Sequence, residues 1–279
     1  MKICMAVYVF GDYTRYIPYY VYSVLKSYPD YYVKVFTRDS LSPNEKKCMA
    51  LIRDQVSPNF EVIESYFDES LHLEKPTKMV GGIETTFRFL LPYEAFKNFK
   101  FAYIGDVDFL IIRETPSLIN GHKKHSNKIG VPYSNAIRAH STRLTGLHFI
   151  KVKDYYQKME PLIQSYLENP KQLYKEVKNL QYDEEFLYKL IKHGIGFGKI
   201  RKHHYRPPHG FHIGIGRKGN DKERKRKIHR YLKQWQLYKQ GIIEQLIAYF
   251  EDPLFKKIML LSPDREIDFL KEQLKKFKS

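Results

Sequence analysis

Two aspartates, Asp106 and Asp108, stand two positions apart in "YIGDVDFLII", the run from Tyr103 to Ile112 that is otherwise apolar. Alternate side chains of a β-strand share a face, so the pair is expected to lie together with Val107 turned the other way. Two close anions repel, and burial penalises each further unless a cation or hydrogen-bond donors compensate. Carboxylates at this spacing suit a hard divalent cation, Mg²⁺ or Mn²⁺, with phosphate oxygens completing its shell. The bland alternative is that one aspartate caps a turn and the other faces water.

The elements that must position this pair follow from hydrophobic periodicity. "ICMAVYVF" reads as a buried strand ended by Gly11-Asp12, and Ile17, Tyr20, Val21, Val24, Leu25 and Tyr28 then recur at helical spacing. "YYVKVFT" is a second strand, "SPNEKKCMALIRDQV" a helix with Ser42 as its cap, and "FEVIESYF" a third strand. "IETTFRFLLPYEAF" reads as a helix bent or broken near Pro92, and "FAYI" as the strand running into the aspartates. Strands alternating with helices imply an α/β fold with a mainly parallel central sheet. Such sheets bind ligands beyond the carboxyl ends of their strands, where Gly11-Asp12 and Asp106 both fall. Further on, "KIGVPY" and "TGLHFIKV" read as strands and 153–168 and 171–192 as helices, before a loop-rich Gly/His/Pro stretch.

Composition narrows the class. At 43% hydrophobic residues over 279 positions, the chain can bury a full core. Its net charge of +17 points to a polyanionic neighbour: nucleic acid, an anionic membrane surface or phosphorylated substrates. Cys4 and Cys48 lack the paired spacing of a metal site or disulfide framework, so a reducing compartment is expected. The start reads as a first strand rather than a signal peptide, and no apolar stretch reaches the ~20 residues that span a bilayer. The expectation is a cytoplasmic protein.

In ordered succession these segments resemble the GT-A glycosyltransferases, and among them glycosyltransferase family 8. The resemblance covers about residues 3 to 218. It runs through the first strand and turn of "VYVFGDYTRYIPYYVYSVLKS", the Arg-bearing segment before Asp-x-Asp in "FRFLLPYEAFKNFKFAYIGDVDFLI", the strand "LTGLHFIKV", the acidic "YDEEF", and a histidine loop with a lysine six positions on. It implies a GT-A, Rossmann-like nucleotide-sugar-binding domain over 1–216, followed by a basic helical extension over 217–279. The implied activity is metal-dependent transfer of a sugar from a nucleotide-sugar, a UDP-sugar by preference, to a saccharide or glycolipid acceptor with retention of configuration. Mn²⁺ or Mg²⁺ is the implied cofactor.

Carried over residue by residue, Asp106, Asp108 and His212 would hold the metal, with His209 the competitor in "HGFH". Val9, Phe10, Asp12 and Tyr13 match the nucleotide-contacting turn, Arg88 would brace the donor or the first aspartate, and Gly146 would face the donor. Asp106 would also contact ribose, and Lys218 would meet the diphosphate, where a cation offsets the leaving group's growing charge. Asp183 and Glu184 are the implied catalytic carboxylates. The chain departs from the family at Leu144, where Asn is usual, at Ile215, where glycine is usual, and at Glu184, where the family carries an amide. A carboxylate there could stabilise a positive sugar or form a transient adduct with it.

From Arg217 to Arg230 the chain carries eight Lys/Arg, and Ile228, Tyr231, Leu232, Trp235 and Tyr238 fall near one helical face. That face either packs on the rest of the domain or lies on an anionic membrane surface, making the protein a peripheral one. A nucleotidyltransferase or nuclease using the Asp-x-Asp is the rival reading. No Gly-Ser nucleotidyltransferase signature and no further carboxylate strand accompany the motif, which argues against nucleic acid as partner.

Overall fold

The computed structural model describes residues 2–72, 76–200, 210–238 and 241–277. Strand β1 (Ile3–Val9) is buried along its whole length. It leads through a 3-10 turn (Gly11–Tyr16) into α1 (Ile17–Ser27), then β2 (Tyr32–Thr37), α2 (Pro43–Gln55) and β3 (Phe60–Ile63). Ser42 caps α2 as its sequence suggests: its hydroxyl accepts from the Glu45 amide, and the Glu45 carboxylate accepts from the Ser42 amide. With β4 (Phe101–Gly105), these strands form a parallel sheet in the order β3-β2-β1-β4.

Past β4 the chain forms β5 (Phe109–Leu110), α3 (Leu118–Ile129), β6 (Tyr133–Ser134) and β7 (His148–Lys151). Strands β7 and β6 complete the six-stranded sheet in antiparallel fashion. The architecture is therefore the mainly parallel α/β sheet expected. Helices α4 (Val152–Glu168), α5 (Pro170–Val177) and α6 (Asp183–Gly194) follow, then β8 (Phe211–His212), α7 (Asp221–Tyr238), α8 (Ile242–Glu251), α9 (Pro253–Leu261) and α10 (Arg265–Leu274).

Side-chain alternation along β1 divides the core into two layers. Met5, Val7 and Val9 face a layer shared with α1, α2 and apolar residues of α7 to α10, while Cys4, Ala6 and Tyr8 face Phe87, Leu90 and α4 to α6. The C-terminal helices thus close one face of the sheet. Ile228 and Leu232 are buried in that layer and Tyr231 packs against Phe211. These three residues of the apolar face of α7 are committed to packing and cannot lie on a lipid surface. The side chains of Trp235 and Tyr238 lie outside the described residues.

Three local expectations are corrected. Residues 83–95 are not an α-helix but two 3-10 segments, Ile83–Leu90 and Tyr93–Ala95. The Thr85 and Thr86 hydroxyls donate to the carbonyls of Gly82 and Ile83, and Pro92 keeps Leu91 extended. The span 171–192 is two helices, since the Glu185 carboxylate takes the amides of Gln181 and Tyr182 and starts α6 afresh. In "KIGVPY" only Tyr133 is in a strand; Lys128 and Ile129 end α3, which Gly130 terminates in the left-handed region at φ 72°.

Candidate functional site

Register between β1 and β4 pairs Val7 with Gly105, so the chain leaves both strands at one edge of the sheet, near Phe10 and Asp106. Here a further expectation fails. Asp106 and Asp108 do not share a strand face: β4 ends at Gly105, and residues 106–108 form a bend before β5, which pairs with β8 in a separate sheet. The bend lets the two carboxylates diverge, so each meets its own cation.

Asp106 keeps 36% of its side chain exposed and pairs with Arg88. The other end of that guanidinium meets Asp183, in the first turn of α6, at 2.5 Å. Burial disfavours the Arg88 charge, but Asp106 and Asp183 outweigh it and hold its pKa above the ordinary value. Gly146 serves this arginine, because a Cβ there would stand 2.6 Å from Arg88 Nη2.

Asp108 is 4% exposed. Its Oδ2 accepts from Arg217 Nη2 at 2.6 Å and lies 2.9 Å from His212 Nε2. Burial raises its pKa, yet His212 and Arg217 prevail and keep the carboxyl below its usual range. For His212 burial opposes the cation, and Asp108 overcomes it in the upward direction. The β5–β8 pairing fixes this contact: Phe109 is opposite His212 with their rings stacked at 4.7 Å, and the Ile213 amide donates to the Asp108 carbonyl at 2.9 Å. Arg217 lies over the Tyr13 ring at 4.5 Å and donates to the Tyr13 hydroxyl at 2.7 Å. Tyr13 is exposed, whereas Val9 is buried, Phe10 is half-buried and Asp12 faces solvent.

The C-terminal helices brace this side. Arg224 Nε donates to the Gly216 carbonyl at 2.6 Å, and its guanidinium pairs with Glu266. Glu266 also accepts from the Tyr16 hydroxyl at 3.1 Å, and Arg15 pairs with Asp264 at 2.8 Å. The 3-10 turn after β1, the His212 loop, α7 and α10 therefore share one charge network.

Lys218 is exposed, and its carbonyl accepts from Lys227. Arg217, one position earlier, is the cation that reaches the site. The 3-10 turn Ile213–Gly216 sets that phase, and nothing in the sequence spacing announces it. Glu184 pairs with Arg138, and Arg143 Nη1 lies 3.8 Å from its Oε2. Sequence spacing announces neither arginine: they stand seven and two positions before Thr145, and only the hairpin turns them toward Glu184. His209 lies outside the described residues.

Whether the residues fit a divalent cation can be judged from Asp108 and His212. Neighbouring donors of an octahedral ion, each ~2.1 Å from it, stand ~3.0 Å apart, close to the separation of Oδ2 and Nε2. Gly214 gives that corner its room, since a Cβ there would come within 2.5 Å of Asp108 Oδ2 and 2.7 Å of His212 Nε2, with the Arg217 guanidinium carbon at 3.1 Å on the same side. The carboxylate oxygen is a donor of the kind Mn²⁺ or Mg²⁺ takes, with an imidazole nitrogen beside it. Asp106 is turned to Arg88, and among the described residues no three His, Cys, Asp or Glu side chains gather at one point.

Neither a protein-family model nor a curated protein matches this sequence. Solved structures to which the chain is similar are glycosyltransferases. Galactosyltransferase LgtC, in complex with donor and acceptor sugar analogues, is 17% identical at a TM-score of 0.45, over 68% of this chain and 70% of that one. GlyE of Streptococcus pneumoniae TIGR4 in its apo form is 11% identical at 0.47, over 99% of this chain and 64% of its own. Mouse xyloside xylosyltransferase 1 is 11% identical at 0.39, over 69% and 82%. These likenesses are distant, and the functional reading below stands on the residues of the site.

Proposed function

We propose that this chain is a glycosyltransferase that takes a sugar from a nucleotide-sugar, a UDP-sugar by preference, and passes it to a saccharide or glycolipid acceptor. The observation that carries the reading is the Asp108–His212–Arg217–Tyr13 cluster at the edge where β1 and β4 end. It offers an aromatic face for a base, a guanidinium for a diphosphate, and an oxygen–nitrogen donor pair for a divalent cation. Tyr13 would orient the nucleotide, with Val9, Phe10 and Asp12 forming the turn around it. Arg217 would bind the diphosphate with a planar fork of donors, a task for which arginine is suited. Asp108 and His212 would hold Mn²⁺ or Mg²⁺, and Asp106 would join them or contact ribose. A cation bound there would stabilise the charge that develops on the departing nucleotide.

Asp183 and Glu184 are the carboxylates proposed for the sugar side, both at the start of α6. Retention of configuration belongs to the family resemblance. The test is hydrolysis of a panel of UDP-sugars with Mn²⁺. Donor turnover that is lost in an Asp108→Ala variant still folded by its circular dichroism supports the reading, and its absence across nucleotide-sugars opposes it.

Association with an anionic membrane is also proposed, through charge rather than insertion. Among the described residues no helix is long and apolar enough to cross a membrane. Lys222, Arg226, Arg230 and Lys233 form an exposed row along α7. Each cation near such a surface contributes about 1 kcal/mol, which salt screens. Changing the four residues to Gln should lower binding to phosphatidylserine vesicles and its salt sensitivity; unchanged binding would oppose the proposal.

A further inference from the structure

The segment Arg138–Arg143 is the tip of a hairpin whose construction is out of proportion to a surface loop. Ile137 and Leu144 form an antiparallel bridge, and the Arg138 amide donates to the Arg143 carbonyl at 2.9 Å. Beneath them lies Asn135, wholly buried. Its Oδ1 accepts from the amides of Ala136 and Thr145 at 2.7 and 3.0 Å and from the Thr145 hydroxyl at 2.5 Å, while its Nδ2 donates to the Thr145 carbonyl. The base of the hairpin runs straight into Gly146, which abuts Arg88. Its bridge is joined to α6 by the Leu144 amide, which donates to the Glu184 carbonyl. The fold thus fixes a short arm beside Arg88, Asp183 and Glu184.

Charge along this arm is unevenly spread. Asp106 and Asp183 share one guanidinium, that of Arg88, whereas Glu184 faces two, Arg138 and Arg143. The Arg138 side chain stays 47% exposed, and its planar fork of donors is far from saturated by one carboxylate. His140, at φ 54°, adds an exposed imidazole at the tip. Arg143 is held by stacking over Tyr182 at 4.3 Å, so its charge is placed rather than floating.

We propose that this hairpin is an acceptor subsite for an acidic saccharide, one bearing a carboxylate or a phosphate. The inference rests on the glycosyltransferase reading for its word "acceptor", and it deepens that reading by naming the substrate class. Arg138 binds the acidic group in bidentate fashion, with Arg143 beside it. In doing so the substrate takes the place that Glu184 now occupies on Arg138, and the freed carboxylate becomes available to the sugar being transferred. A neutral acceptor has no means to make this exchange.

The experiment is saturation-transfer NMR on the full chain with UDP and Mg²⁺, using methyl glucuronide, glucose 6-phosphate and methyl glucoside as probes. The two acidic probes separate the carboxylate from the phosphate source. At least one is expected to bind wild type tenfold or more tightly than methyl glucoside, and to lose that advantage in Arg138→Gln/Arg143→Gln. In the same variant UDP affinity, read by calorimetry, is expected to stay within twofold, which shows that the fold and donor site survive. Glu184→Gln removes the competing carboxylate and should tighten acidic-probe binding severalfold. Equal binding of acidic and neutral probes by wild type, or an acidic preference that survives the double substitution, would overturn the proposal. Absence of UDP binding by wild type would instead sink the transferase reading, and the anion site would then stand or fall on the probe comparison alone.

Discussion

Asp106 and Asp108 are two residues apart and are held by opposite means. Asp106 is partly exposed and belongs to an ion chain with Arg88 and Asp183 that links the end of the sheet to α6. Asp108 is buried, held at Oδ2 by His212 and Arg217, and tied through the Gly216 carbonyl to Arg224 and Glu266 in the C-terminal helices. Mutual repulsion, which their spacing predicts, is therefore largely answered by giving each carboxylate a guanidinium. The comparison separates a partly exposed carboxylate from one fixed by burial. Asp106 reaches solvent on one side of its pair with Arg88, while Asp108 is part of the scaffold as well as of the candidate site.

Breaking the fixed side should have the larger effects. Glu266 and Arg224 are 6% and 7% exposed, and removing one member of a buried pair leaves the other uncompensated, which costs ~3–5 kcal/mol. Glu266→Ala is expected to lower unfolding free energy by about 3 kcal/mol in urea and to weaken UDP binding as well, because the His212 loop loses its brace. Loss of stability with UDP affinity intact would show that the network serves the fold alone.

Next in size is the choice between adjacent cations. Arg217→Ala should weaken UDP binding in the presence of Mn²⁺ by about 100-fold, equivalent to ~2.7 kcal/mol, and Lys218→Ala by less than threefold. Calorimetric titration of the two variants decides this, and reversed losses would return the diphosphate contact to Lys218.

On the Arg88 side the expected effect is smaller. Glu184→Gln should lower kcat about tenfold, or ~1.4 kcal/mol of transition-state stabilisation, with little change in donor KM. Wild-type turnover in that variant would leave Glu184 as no more than the anchor of the hairpin.

What could be read in advance follows the range of the interactions. The alternation of β1, α1, β2, α2 and β3 is written in local apolar periodicity, and the Ser42 cap lies within one helical turn of its partner Glu45. The 3-10 form of 83–90 was hidden because Ile83, Phe87 and Leu90 also satisfy a helical spacing; the hydroxyls of Thr85 and Thr86 tip the balance. Of the candidate site, the side chains that the structure brings to this edge of the sheet, the aspartates, Arg88 and His212, were identifiable by type and order. Their partition was not, since it depends on the chain leaving the sheet at Gly105 to pair with β8 more than a hundred residues later. That Arg217 rather than Lys218 reaches Asp108 and Tyr13 was hidden for a similar reason. One residue of phase in a 3-10 turn decides which side chain points inward.

The most direct test of the account is the melting temperature of wild type and Asp108→Asn with UDP, with Mn²⁺ and with both. A ligand that binds the folded state alone must raise its stability. For wild type the account predicts a small shift with either component and a larger one, exceeding their sum, with both together; for Asp108→Asn the excess should vanish. An excess that persists in the variant, or no response of wild type to UDP and Mn²⁺ together, would contradict it.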